Sequence, residues 1–218
     1  MQSFVRIPKL CRFAAASLTC ALSFALALPG SAQSLGADAA ELLVRETWYE
    51  GLPLSEAKKI DAAGAARLIE MLEDPEDREH HANILMALAA SGQLGAYEAI
   101  AAWATLPRSG EVDRAQFRAW QTLPHALGEL SRRDPRALHL LAGQLDMPAP
   151  DWRFRHHNSA RIRQLTRRGA ASGLAHSGRP EAAAMLQHAA AKATDEPAFK
   201  AHLRECQAQH RRLEGRAR

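Results

Sequence analysis

The chain has 218 residues, 28 of them Lys or Arg and 24 Asp or Glu, for a formal net charge of +4. That length suffices for one domain with its own core. Of its cysteines only Cys206 lies beyond the N-terminal segment, which excludes an internal disulfide in a processed chain.

The segment "MQSFVRIPKLCR" opens the chain with Arg6, Lys9 and Arg12 and no acid. The apolar run "FAAASLTCALSFALAL" follows, and Pro29-Gly30 breaks it. Gly30 and Ala32 then stand at positions −3 and −1 of a cut after Ala32. These are the parts of a secretory signal peptide. The apolar run, about 16 residues, is shorter than the ~20 that a spanning helix requires. The expectation is a cleaved signal over residues 1–32 and a single helical domain over residues 33–218. That domain is exported, periplasmic or secreted, and not membrane-spanning after cleavage. Residues 33–106 carry 13 acids against 5 bases (−8), and residues 107–218 carry 11 against 20 (+9). The expected mature chain is therefore near neutral overall and charged in opposite senses in its two halves.

Beyond the signal, apolar residues recur at spacings of three and four, the period of amphipathic helices. Leu42, Leu43, Glu46 and Tyr49 open a first helix. Ile60, Gly64, Leu68 and Leu72 mark the next, then Ile84, Leu85 and Leu88, then Tyr97, Ile100 and Trp103. Phe117, Trp120, Leu123, Leu127 and Leu130 follow, then Leu138, Leu141 and Leu145. Ile162, Leu165, Gly169 and Leu174 mark another, then Met185, Leu186 and His188, and last Phe199, Leu203, Cys206 and His210. No run alternates with the two-residue period of a strand. Asp74-Pro75 and Asp134-Pro135 place an N-cap before a proline suited to a first helical turn. Ser91-Gly92 and Ser177-Gly178 end helices with a glycine able to take positive φ. Longer joins are "PRSGEV" and "MPAPDWRF". Roughly nine helices with mostly tight turns imply antiparallel neighbours.

The segments "ALAASGQLGAYEAI" (Ala87–Ile100) and "GLAHSGRPEAAAML" (Gly173–Leu186) share a helix end, Ser-Gly, a short turn and a new helix. A third copy, "ALGELSRRDPRALHLL" (Ala126–Leu141), has a longer turn. Leu88, Leu127 and Leu174 mark a period of roughly 40 residues, the spacing of stacked helical pairs. The chain resembles HEAT-type repeats over Asp61 to Ala191. Asp74, Pro75 and Leu88 fit the usual first helix of such a unit, while Glu79-His80-His81 stands where a Val-Arg pair is usual. The resemblance implies an all-α, right-handed α-solenoid of about four antiparallel helix pairs and a scaffold for protein–protein contact.

The candidate sites are few. His80 and His81 are adjacent, so on a helix they point about 100° apart and cannot chelate one ion from one face. Their expected role is packing or solvation. The segment "RFRHHNSARIR" gathers Arg153, Arg155, His156, His157 and Arg161 behind Trp152, and Arg163, Arg167 and Arg168 continue the ladder. Trp48, Trp103 and Trp120 fall on apolar faces, whereas Trp152 lies in a Pro-rich loop and is expected as an exposed interface anchor. The expected partner surface is therefore Trp152, Arg153, Arg155, His156, His157, Arg161 and Arg168, facing an acidic protein. Export and the lack of an aromatic stacking platform argue against nucleic acid. No elbow, paired carboxylates or Gly-rich phosphate loop marks a catalytic centre, and no cofactor or metal is expected. The alternative is a helical enzyme or metal-binding protein using residues 152–168.

Overall fold

Amphipathic stripes become helices almost wherever their spacing predicts them. The structure, a computed structural model, describes residues 34–217, so the segment read as a signal peptide lies outside the described residues. The helices are α1 (Ala37–Arg45), α2 (Leu54–Ala57), α3 (Ala62–Glu73), α4 (His81–Ser91), α5 (Ala96–Thr105), α6 (Arg114–Leu130), α7 (Arg136–Leu145), α8 (Ser159–Ser177), α9 (Pro180–Lys192) and α10 (Pro197–Ala217). Their ends are chemically marked. The side chains of Asp61, Asp113 and Asn158 accept from the backbone N–H of Gly64, Gln116 and Arg161 at 2.9, 2.7 and 2.9 Å. Gly92 and Gly178 close α4 and α8 at φ 60° and 65°.

Several elements differ from the sequence expectation. The first helix stops at Arg45 instead of reaching Tyr49, which is 98% exposed. The Trp48 indole N–H donates to the Leu43 carbonyl at 2.9 Å and satisfies an acceptor that the helix end leaves open. Helix α2 is an additional single turn. Asp74 accepts from Glu76 N–H as a cap, yet Pro75–His80 forms a 3₁₀ turn and α4 begins only at His81. The tighter turn buries Asp77 against Arg45, 2.7 Å away. The two long joins also meet. Gly110–Glu111 (β1) and Trp152–Arg153 (β2) pair in parallel over two residues each, so the described residues are mostly helical but not wholly without strand.

Packing links the helices in two successions. Helix α4 touches α6, α6 touches α8 and α8 touches α10; α3 touches α5, α5 touches α7 and α7 touches α9. Sequence neighbours α6–α7, α8–α9 and α9–α10 touch across them. One apolar cluster extends from Ala40 to Cys206. The ends of α4, α6 and α8 share a device. Ser91, Ser131 and Ser177 are buried, and each donates its hydroxyl to the carbonyl three residues back, on Leu88, Gly128 and Leu174, at 2.8, 2.7 and 2.6 Å. The middle turn also reaches both neighbours. Arg133 donates to the Ala90 carbonyl at the end of α4, and Arg132 to the His176 carbonyl at the end of α8, at 3.1 Å.

Helices α6 and α8 meet backbone to backbone where Gly128 faces Gly173. A Cβ on Gly128 would lie 2.6 Å from the Gly173 carbonyl oxygen, and one on Gly173 would strike the Pro124 carbonyl. Pro124 sits inside α6 and has no N–H to offer the carbonyl one turn earlier. The helix runs through it, and its ring packs beside Gly169 of α8.

Candidate functional site

The polar face of α6 runs beside adjoining surface hollows. Between α6 and α8 lies a hollow of about 540 Å³ with a floor of Phe117, Trp120, Pro124 and Leu165. Gln121 and His125 stand on the α6 side; Arg161, Arg168 and Ser172 stand on the α8 side. No carboxylate lines it. Gln121 and His125 also line a second hollow of about 630 Å³, which reaches Met86 of α4 and the segment at Gly51–Leu54. A third, of about 400 Å³, shares Gly51, Leu52, Met86, Arg118 and Thr122 with the second and ends at His80. The three adjoin along α4, α6 and α8. Charge changes along them: Glu46, Glu50, Glu79 and Glu129 mix with Arg45, Lys58, Arg118 and Arg132 in the second and third, whereas the first carries only cations.

The structure separates the residues expected to act together. Trp152 is a correction: it is 4% exposed, its ring edge-on to Trp120 with centroids 5.5 Å apart. The β1–β2 pairing draws its loop inward, so an indole expected on the surface completes the core. Phe154 stacks on Phe117 at 4.2 Å, and His157 stacks on the same ring at 5.6 Å. Trp152 and His157 thus pack against Trp120 and Phe117, which line the first hollow, and do not line it themselves. Arg153, Arg155 and His156 are exposed on the loop and do not line the hollow. Arg153 lies 3.5 Å from Glu111, and Arg155, at φ 49°, places its guanidinium 5.2 Å from the Phe154 ring centre. The arginine ladder divides. Arg161 and Arg168 face the hollow. Arg163 donates to the Met147 carbonyl at 3.1 Å, and Arg167 is buried and pairs with Glu196 at 2.7 Å.

The other histidines are placed mainly by packing. His81 is buried, accepts from the Trp103 indole N–H at 3.1 Å and contacts the Asp74 carbonyl at 3.3 Å. Burial holds its pKa below the usual range despite that carbonyl. His80 lines the third hollow, remote from its neighbour's role. His125 and His176 meet edge to face at 5.9 Å, and burial, then the His176 charge, lowers the His125 pKa. Among the described residues no three His, Cys, Asp or Glu side chains gather as a metal site.

One constellation was not legible in the sequence. Ser172 of α8 lies 3.5 Å from His202 Nε2 of α10, and Glu205 lies 3.8 Å from His202 Nδ1. Cys206 Sγ is also 3.5 Å from Nε2. The order resembles a nucleophile, base and orienting acid. The geometry works against it: Nε2 stands 3.0 Å from the Arg168 carbonyl and must carry hydrogen to bond it. That nitrogen then has no lone pair for a serine or cysteine proton. Burial raises the Cys206 pKa, which further disfavours a thiolate. The groove residues Gln121, Thr122 and His125 were equally unmarked. Their signal was the polar stripe Arg118–Thr122–His125–Glu129 on α6, at helical spacing, which reads as solvated until both neighbouring helices are in place. Comparison with protein-family models, curated proteins and solved structures finds no match to this chain.

Proposed function

We propose that the chain is an exported, HEAT-like helical-repeat scaffold that binds another protein along α4, α6 and α8 and performs no catalysis. The observation that carries this reading is the run of adjoining hollows on those helices, in which apolar side chains stand among polar ones of mixed charge, cationic alone in the hollow between α6 and α8. Interfaces combine a buried apolar centre with a polar rim. The right-handed solenoid of paired helices is part of the same proposal. The two successions of touching helices and the recurring buried serines at Ser91, Ser131 and Ser177 support it. Those serines align Leu88 and Leu174 with Gly128, one residue beyond the Leu127 that the sequence period suggests. The partner site moves from the 152–157 loop to the hollows and keeps Arg161 and Arg168. The alternative of an enzyme or metal protein built on residues 152–168 loses Trp152 and His157 to packing.

Site-specific photo-crosslinking in cells tests the reading. A crosslinker at Gln121 or Thr122 is expected to capture a protein, while one at Gln187 or His188, exposed on α9 away from the hollows, is not. Equal capture at both sets, or none at either, would overturn it. Export is tested separately, by mass spectrometry of the mature chain, which is expected to begin at Gln33.

A further inference from the structure

Resting on the protein-binding reading above, we propose that the hollow between α6 and α8 takes a helical segment of the partner bearing two carboxylates seven residues apart with apolar residues between them. Arg161 and Arg168 are the reason. Both are exposed at its edge, and among the described residues neither has a carboxylate within ion-pair distance. The Arg161 guanidinium donates to the neighbouring Gln164 side chain. By contrast Arg153 and Arg167 have acidic partners, and Arg163 bonds a carbonyl. Two cations without counter-charges stand beside an apolar floor of Phe117, Trp120 and Leu165, and no acid lines the hollow.

Spacing selects the form of the ligand. Seven residues along α8 advance about 10.5 Å and turn about 700°, so the two guanidinium stems leave one face two turns apart. An extended peptide presents same-side residues at steps of about 6.6 and about 13 Å, which straddle that distance. A helix places i and i+7 at about 10.5 Å on one side and i+3 and i+4 between them, over the floor. Gln121 and His125 on the opposite side offer polar contacts to its backbone end or side chains. A flat anionic membrane would reach the arginines but not the recessed aromatic floor.

The test uses the full exported chain and helical peptides of about 16 residues, read by fluorescence anisotropy. One peptide carries Glu at i and i+7 with Leu at i+3 and i+4. A second has the same composition with the later Glu moved to i+5, about 140° round the helix. The first is expected to bind about tenfold more tightly than the second and to weaken as salt rises. Arg161→Glu with Arg168→Glu is expected to abolish its binding at unchanged helicity and to accept the same peptide with Lys in place of both Glu. Equal binding of the two peptides, indifference to the double substitution, or displacement of the peptide by anionic vesicles would overturn the proposal. If the first peptide fails to bind while crosslinks at Gln121 persist, the two-carboxylate helix is wrong and the protein-binding reading stands. Loss of crosslinks specific to the hollow means that the reading itself has failed.

Discussion

Arg108 is a cation in surroundings that disfavour its charge. Its guanidinium lies 4.4 Å from the Trp103 ring centre and 5.1 Å from that of Trp120. It donates to the carbonyls of Trp103, Ala104 and Leu106 at 2.8, 3.3 and 2.9 Å, at the end of α5. No carboxylate pairs with it among the described residues, and burial pushes its pKa down to about 10. The charge is held by helix-end carbonyls and two aromatic faces. Arg108→Ala should cost about 2 kcal/mol in urea unfolding, and Arg108→Lys should recover only part, because an ammonium lacks the planar fork. His81 sets a pH dependence. Its Nδ1 accepts from Trp103, so a second proton would face a donor. Its folded pKa lies below that of the unfolded chain, about 6.5. The unfolded state therefore takes up the proton first as pH falls, and stability declines below that value. His125 contributes with the same sign. The melting temperature should drop from pH 7 to pH 5, and His81→Gln should flatten the decline in part; an unchanged slope would remove His81 from the account.

At the scale of elements, the crossing of α6 and α8 decides how near the hollow's two sides stand. Gly128 and Gly173 let the backbones meet, and Gly173→Ala would force a methyl against the Pro124 carbonyl and within 3.0 Å of Leu141 Cδ2. The helices must separate, with an expected loss of about 1–3 kcal/mol. Gly143 in α7 is the control, since nothing lies within 4 Å of a Cβ built there. Gly143→Ala should stabilise by about 0.5–1 kcal/mol through helix propensity alone. Chemical denaturation of both variants separates close packing from propensity. Matching losses would mean that the crossing does not depend on glycine. The period of three and four made these glycines legible as helical; only the neighbouring helix gives one of them a packing role and the other none.

For the whole molecule, α10 closes one end of the helix succession. Phe199, Leu203, Cys206 and His210 form its buried stripe, while Arg204, Glu205, Arg211 and Arg212 are exposed. The helix thus turns its apolar stripe inward and a charged face outward. Removing residues 179–218 deletes α9 and α10 and uncovers the side of α8 that they bury. The truncated chain is expected to bind a hydrophobic dye and to aggregate; a soluble, fully helical product with an unchanged melting temperature would show that the core does not run through that end.

What the sequence by itself determined is local. Alanine content and apolar periodicity specify helices, Ser-Gly pairs specify the ends of two of them, and each depends on residues within a turn or two. The glycine ends of α4 and α8 and the buried faces of Trp103 and Trp120 follow from that level. The fate of Trp152, Arg161 and Arg168 was decided only by tertiary structure. Whether an indole in a loop faces water or core depends on β1, some forty residues earlier, pairing with its strand. Whether an arginine on α8 is free or engaged depends on which flank meets the 145–147 join and Glu196, and which meets the hollow beside α6. Side-chain periodicity gives each helix its faces, but the identity of what each face meets is a long-range property that no window of one helix contains.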